Sequence, residues 1–346
     1  MAVKFKFVIM AACCIAALIL AVAVGSVFIP PDQVFGVLAG KLFGFGTGPR
    51  PDPIAESIIW SLRLPRALLA FITGAGLAVS GVIMQSVLGN PLASAYTLGV
   101  SSGAAVGASL VIALGLSFFG MFTLPVFGLA FGLATVFLAV SFASMMDKNI
   151  GSFTIILTGM AFSLFANGII TLMHAFARQE LQLLVAWQMG SFALKDWSHP
   201  AIMFPAALAV LAVAMVFAWD MDLMTFGEEQ AAATGVDLKR AKLVLISAGA
   251  VITGVAVSLT GVIGFIDLFT PHVARKLFGA RHKLVVPASA LLGGCFMLLC
   301  DLLARVAAAP LEIPVGAVTS IFGAPFFIYL YFSRKTGRPF KRKRGL

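Results

Sequence analysis

Residues 62–108 read LRLPRALLAFITGAGLAVSGVIMQSVLGNPLASAYTLGVSSGAAVGA. Two apolar stretches of spanning length, 64–85 and 95–116, flank an Asn90-Pro91 step. A membrane-crossing helix needs about 20 predominantly apolar residues, and both stretches reach that length. Gly99, Gly103 and Gly107 recur at every fourth position and share one helix face, while Gly74, Gly76 and Gly81 crowd the first stretch. Small residues let membrane helices approach until van der Waals contact replaces the missing hydrophobic drive. The segment therefore predicts two closely packed membrane helices with a break between them.

The pattern extends along the whole chain. Apolar segments are read at 8–28, 64–85, 95–116, 121–145, 153–175, 200–219, 241–260, 263–279, 284–305 and 314–333, about ten in all. The eighth is short and interrupted by Pro271. Of the 346 residues 60% are hydrophobic and only 11% charged, with a mean hydropathy of +1.04. A soluble domain carries about 25% charged residues and could not cover its surface with so few. A soluble enzyme, a disordered chain, a disulfide scaffold and a free nucleic-acid-binding domain are excluded. The predicted class is an all-α polytopic membrane protein. It forms a single transmembrane domain over 1–346, with a cytoplasmic segment at about 220–242 and a basic tail at 334–346.

The net charge of +10 follows the rule that Lys and Arg collect on cytoplasmic loops. With ten spans and both termini inside, 17 of the 24 Lys and Arg residues fall on the cytoplasmic side. The remainder are Lys41, Arg50, Arg63, Arg66, Arg178, Lys195 and Arg305. The basic tail reads as a cytoplasmic stop signal that meets anionic lipid, without nucleic acid as a partner. The apolar run from Phe7 to Phe28 exceeds a signal-peptide core. Cys13, Cys14, Cys295 and Cys300 all lie in apolar runs with neither metal-ligand nor disulfide-framework spacing. An internal echo links GAGLAVSGVI (74–83) with GVAVSLTGVI (254–263).

Polar residues are the candidates for function. No phosphate-binding loop, metalloprotease motif or nucleophile elbow occurs, so uphill transport would draw on an ion gradient or a separate ATPase chain. Gly227-Glu-Glu-Gln-Ala-Ala-Ala-Thr-Gly235 predicts a short cytoplasmic helix, acidic in its first turn and closed by Gly235 in the left-handed conformation. It is either a solvated loop helix or a docking knob for a partner, through Gly227, Glu228, Glu229, Ala232 and Gly235. Arg63, Arg66 and Arg305 stand at outer helix ends, either snorkelling or forming a cationic ring for a partner's carboxylates or an anionic solute. Gln85, Asn90, Asn167, His174, Asp267 and His272 lie at membrane depth, where ionisable groups are costly. Asn90-Pro91 and Thr270-Pro271-His272 are expected to break their helices.

The quoted stretch, with GEEQAAATGV, GFIDLFTPHVAR, RHKLVVPASALLGG, CDLLAR and IPVGAVTSIFGAPFFIYL following in order, closely resembles the FecCD-type permeases of iron–siderophore, haem and cobalamin ABC importers. The resemblance covers nearly the whole chain from about residue 60. It implies a type II ABC importer permease fold of ten helices, acting as a homodimer or paired with a related permease in a bacterial or archaeal cytoplasmic membrane. It implies two cytoplasmic ATPase subunits that bind ATP and Mg, with no cofactor or metal in this chain, and a periplasmic or lipid-anchored binding protein. The segment 227–235 would be the coupling helix. Arg63, Arg66 and Arg305 would meet acids on the binding protein. Gly151–Thr154, with Ser152 and Thr154, would belong to the inner gate, and Gln85, Asn90, Pro91, Asn167, Asp267 and Pro271 to the pathway. Asp267, Phe269 and Thr270 depart from the family pattern of glycine and apolar residues, and Ala280-Arg281-His282 replaces its usual turn. The expected cargo is a ferric siderophore, with haem or cobalamin as alternatives; the rivals to this machinery are an ion-coupled transporter and a channel.

Overall fold

The structure, a computed structural model, describes residues 2–25, 29–43, 52–147, 151–177 and 180–336. Lys148, Arg50, Arg178 and the basic tail beyond Thr336 lie outside the described residues. No strand occurs among the described residues. In chain order the α-helices are α1 (Ala2–Ala23), α2 (Pro31–Phe43), α3 (Pro53–Ser57), α4 (Leu64–Val87), α5 (Val100–Leu114), α6 (Thr123–Met146), α7 (Ser152–Phe176) and α8 (Leu181–Gln188). They continue as α9 (Ser198–Val216), α10 (Ala218–Met224), α11 (Glu228–Ala233), α12 (Leu238–Thr260), α13 (Ile266–Phe278), α14 (His282–Val306) and α15 (Val315–Thr336).

Every predicted span has a helix, but two differ in length. Helix α5 starts at Val100 rather than 95, because Gly99 adopts φ +93° and separates it from the turn at Tyr96–Leu98. Helix α13 has 13 residues, about 20 Å at the usual rise, and falls short of a hydrocarbon core about 30 Å thick. Among the described residues seven helices are long and apolar enough to cross a membrane, namely α1, α4, α6, α7, α9, α12 and α14. The sequence reading passed over α2, α3, α8 and α10. The internal echo does not mark equivalent places: 74–83 lies inside α4, whereas 254–263 runs past the end of α12 at Thr260.

Helix α4 is the axis of the bundle. Nearly all of its residues from Leu64 onward are buried, and it packs against α14, α12, α9 and α13. Its contact with α14 is backbone on backbone: a Cβ on Gly74 would strike the carbonyl oxygen of Gly293, and one on Gly293 would strike that of Gly74. Helices α5 and α6 meet in the same way, with Gly103 and Gly107 against the carbonyl oxygens of Phe131 and Phe127. The Ser80 hydroxyl adds a hydrogen bond to the Gly249 carbonyl, 3.1 Å away on α12.

The helix break expected at Pro271 does not occur, since α13 runs through it. Proline leaves the carbonyl four residues back without its helical donor, here that of Asp267. The Gln85 amide of α4 supplies one instead, donating at 3.3 Å to the Asp267 and Leu268 carbonyls, while its own oxygen accepts from the Arg275 guanidinium. Gly81, one turn back on α4, admits the Asp267 backbone into a space no side chain could share. The break lies upstream, where Gly261–Phe265 leaves the helix and Phe265 has φ +72°. By contrast, the Asn90-Pro91 break is present: α4 ends at Val87, and the Asn90 side chain accepts from Leu92 N–H at 2.9 Å.

Replacing Gly293 with valine forces this seam apart and should cost about 1–3 kcal/mol or more. Gly168→Ala on α7, where an added Cβ meets nothing within 4 Å, should leave stability unchanged. Thermal unfolding of the two variants in detergent checks the contrast.

Candidate functional site

Three regions gather the polar residues, one at each end of the bundle and one between. At the end predicted to face outward, Arg63, Arg66 and Arg305 line a cavity of about 380 Å³ together with Lys195 and Glu312. All three arginines are buried, and each has partners within the chain. Helix α1 ends here with carbonyls that lack intrahelical donors. Arg63 donates to Val22 O at 2.9 Å and Ala23 O at 2.8 Å, and Arg305 to Ala21 O at 2.9 Å. Two guanidiniums thus cap the negative end of α1, an arrangement the helix dipole favours.

Arg66 lies between two carboxylates. Asp301, fully buried on α14, accepts from it at 2.9 Å and from Arg305 at 3.2 Å. On its other side Arg66 forms a two-pronged pair with Glu312, at 2.8 and 3.1 Å. The Glu312 side chain is 41% exposed whereas that of Arg66 is 10% exposed, so buried Arg66 has one sealed partner and one solvent-facing partner. The three arginines that the sequence reads as snorkelling or as a cationic ring for a partner are buried and engaged within the chain. Asp301 and Glu312 were overlooked. The available signal was an acid one helical turn before Arg305 in a chain with only 14 acidic residues.

The cavity rim carries Leu194, which is 98% exposed with φ +55°, an uncommon conformation for a residue other than glycine. Its loop is held by the Ser191 N–H on the Thr260 carbonyl and by the Trp197 indole on the Trp60 carbonyl. Burial pushes the Lys195 ammonium below its ordinary pKa, and neighbouring Asp196 opposes this. Hydrogen bonds from Ser198 and then His199 hold the Asp196 carboxyl below its usual range.

Between the ends lie two adjoining cavities of about 520 and 790 Å³ that share Tyr96, Thr97, Ser101, Gln188 and Val262. The smaller is lined by α5 and α7, including Asn167; the larger by α13 and α15, including Asp267. Hydroxyls and amides supply the polar lining, Asp267 is its charged group, and neither lining contains Lys or Arg. Ser94 donates to the Asp267 carboxylate, and the Tyr96 hydroxyl to Ile263 O at 2.8 Å. His174 shares a 3.2 Å hydrogen bond with Gln188. Thr154 and His272 are half-buried on α7 and α13.

At the opposite end, α11 spans Glu228–Ala233 and buries Ala231. Gly235, with φ +92°, closes it as predicted, and the Val236 N–H returns to Ala231 O at 3.2 Å. Glu229, Ala232 and Gly235 are exposed. Glu228 differs: one carboxylate oxygen is 2.7 Å from the Lys242 ammonium, and the other accepts from the Ser152 hydroxyl at 2.9 Å. It is engaged inside the chain although its side chain is 39% exposed. Just before α11, Asp222 of α10 holds the His282 ring at 2.6 Å, and the ring's other nitrogen reaches Ser86 of α4 at 2.6 Å.

The bundle thus has a charged cavity at one end, a polar wall between and an exposed short helix at the other end. The chain belongs to the FecCD transport family, which matches residues 13–333. It is 38% identical over 322 residues to the uncharacterized ABC transporter permease protein YvrB of Bacillus subtilis (strain 168), covering 92% of this chain and 91% of that protein. Over 321 residues it is 32% identical to the molybdate import system permease protein MolB of Haemophilus influenzae, covering 92% and 93%. A solved structure described as an inward-facing, metal-chelate type ABC transporter superposes with a TM-score of 0.80 at 30% identity, covering 95% of this chain and 99% of that one. The fold is that of a type II ABC importer permease. Members of the family are transport subunits rather than enzymes.

Removing Asp301 leaves two buried guanidiniums short of a counter-charge, so Asp301→Asn should destabilise by about 3–5 kcal/mol. The partly exposed pair is worth less, and Glu312→Gln should cost about 1 kcal/mol or less. Thermal unfolding of the purified variants measures both.

Proposed function

We propose that this chain is the membrane subunit of an ATP-driven importer for a metal chelate, a ferric siderophore first among them, working by alternating access. The observation that carries the reading is α11. It buries one residue against its own chain and turns Glu229, Ala232 and Gly235 outward, at the end opposite the arginine cavity. A helix this short is marginal by itself in water, and a partner seated on its open face accounts for that exposure. The partner is an ATPase subunit, which binds ATP and Mg and hydrolyses the nucleotide in the cytoplasm. Two such subunits serve a pair of permeases, either two copies of this chain or this chain with a related one. The assembly sits in a bacterial or archaeal cytoplasmic membrane with both termini inside.

At the other end a soluble or lipid-anchored binding protein delivers the cargo. Its carboxylates reach Arg66 by displacing the partly exposed Glu312, which already pairs with it in that geometry, and Leu194 offers an apolar contact beside them. The cargo then passes the wall formed by α5, α7, α13 and α15. Cavities of this volume match those that take drug-sized ligands, and a chelate is of that class. The lining has no cation to hold a small oxyanion such as molybdate, which argues against that cargo. Haem and cobalamin, also bulky, remain the alternatives for the same machinery.

Uptake of radioiron by iron-starved cells with and without the chain, supplied as several siderophore chelates and as haem, tests the cargo. Restored uptake of one chelate identifies it, and unchanged uptake of all of them removes iron. Reversing charge and adding bulk on the open face of α11, with Glu229→Arg and Ala232→Arg together, should abolish transport at least tenfold while the protein still accumulates in the membrane. Wild-type transport by that variant would remove the docking role of α11.

A further inference from the structure

The Glu228 carboxylate joins three helices. It belongs to the first residue of α11, and its two oxygens face different neighbours: the Lys242 ammonium of α12 at 2.7 Å and the Ser152 hydroxyl of α7 at 2.9 Å. The two contacts are unequal. The Lys242 side chain is 1% exposed, and a buried ammonium separated from its carboxylate pays a large desolvation penalty. Ser152 is neutral and only half-buried, so its bond to Glu228 exchanges at lower cost. Ser152 is also the first residue of α7, and its hydroxyl lies 3.4 Å from the Val87 carbonyl, where α4 ends. A second acceptor is therefore in place for the same hydroxyl.

We propose that Glu228 is a positioning residue that carries movement of α11 into the first turn of α7, through the exchangeable hydrogen bond to Ser152, while the long Lys242 side chain follows the carboxylate and keeps its charge paired. When α11 moves, the Ser152 hydroxyl either follows the Glu228 oxygen or transfers to the Val87 carbonyl, so the start of α7 has two discrete positions. The neighbouring α10 is fixed to α4 and α14 through Asp222, His282 and Ser86, which directs the displacement toward α7. This rests on the reading of α11 as the ATPase contact, and deepens it by naming the route inward.

The test uses the complete permease–ATPase complex with spin labels at three exposed positions: Ala233 on α11, Phe153 on α7 and Val244 on α12. Distances are measured without nucleotide and with ATP trapped by vanadate. In the wild type both the 233–244 and the 153–244 distances should shift on the order of 2 Å, the scale of helix movements at interfaces. Ser152→Ala should keep the first shift and lose the second, with ATPase association and thermal stability unchanged, and Ser152→Thr should restore it. A 153–244 shift in Ser152→Ala equal to wild type overturns the relay alone. No 233–244 shift in the wild type overturns the coupling role of α11 and the relay with it. Glu228→Gln, which keeps an acceptor for Ser152 but weakens the hold of Lys242, provides a second variant: it should reduce the 153–244 shift, and an undiminished shift counts against the proposal.

Discussion

The buried pair between Arg66 and Asp301 constrains the rest of the molecule. It joins the first turn of α4 to the last turns of α14, the two helices whose backbones touch at Gly74 and Gly293. An ion pair sealed from water is costly to assemble and far costlier to break by losing one partner. Once it is made, the relative rotation of α4 and α14 is set, and with it the face α4 presents to α12, α13 and α9. Arg305 shares Asp301 and extends the cluster to the end of α1. Three charged side chains thereby place three helix ends.

The same economy operates at the other polar positions. With no water in the hydrocarbon region, each freed backbone group needs a protein donor. Gln85 meets that need at Pro271, giving to the carbonyl that proline leaves unserved, and so lets α13 continue as a helix. Asp267 next to it is both structural, through its backbone and Ser94, and part of the cavity wall. One short helix therefore combines a tight packing contact with a surface that a cargo would pass.

At each end of the bundle, side chains that appear suited to an outside partner prove to be shared with the chain's own framework. Arg66 has a sealed carboxylate on one side and an open one on the other. Glu228 has a buried lysine on one side and an exchangeable hydroxyl on the other. A charge anchored on one side and replaceable on the other can respond to a partner without leaving an uncompensated buried ion.

Sequence alone determined the class and the approximate positions of the long apolar helices, because apolar run length is a local property that a bilayer reads directly. It located α11 and its closing glycine for the same reason: an acidic first turn and a left-handed stop are written within nine residues. Tertiary structure decided what each polar side chain does. Arg66 and Asp301 are separated by 235 positions, and Gln85 lies 182 from the carbonyl it serves, so no window of sequence could pair them. The continuous helix through Pro271, the shortness of α13 and the inward use of Glu228 likewise depend on donors and acceptors from other helices. In an apolar medium a polar group is defined by the partner that satisfies it, and only the folded chain brings those partners together.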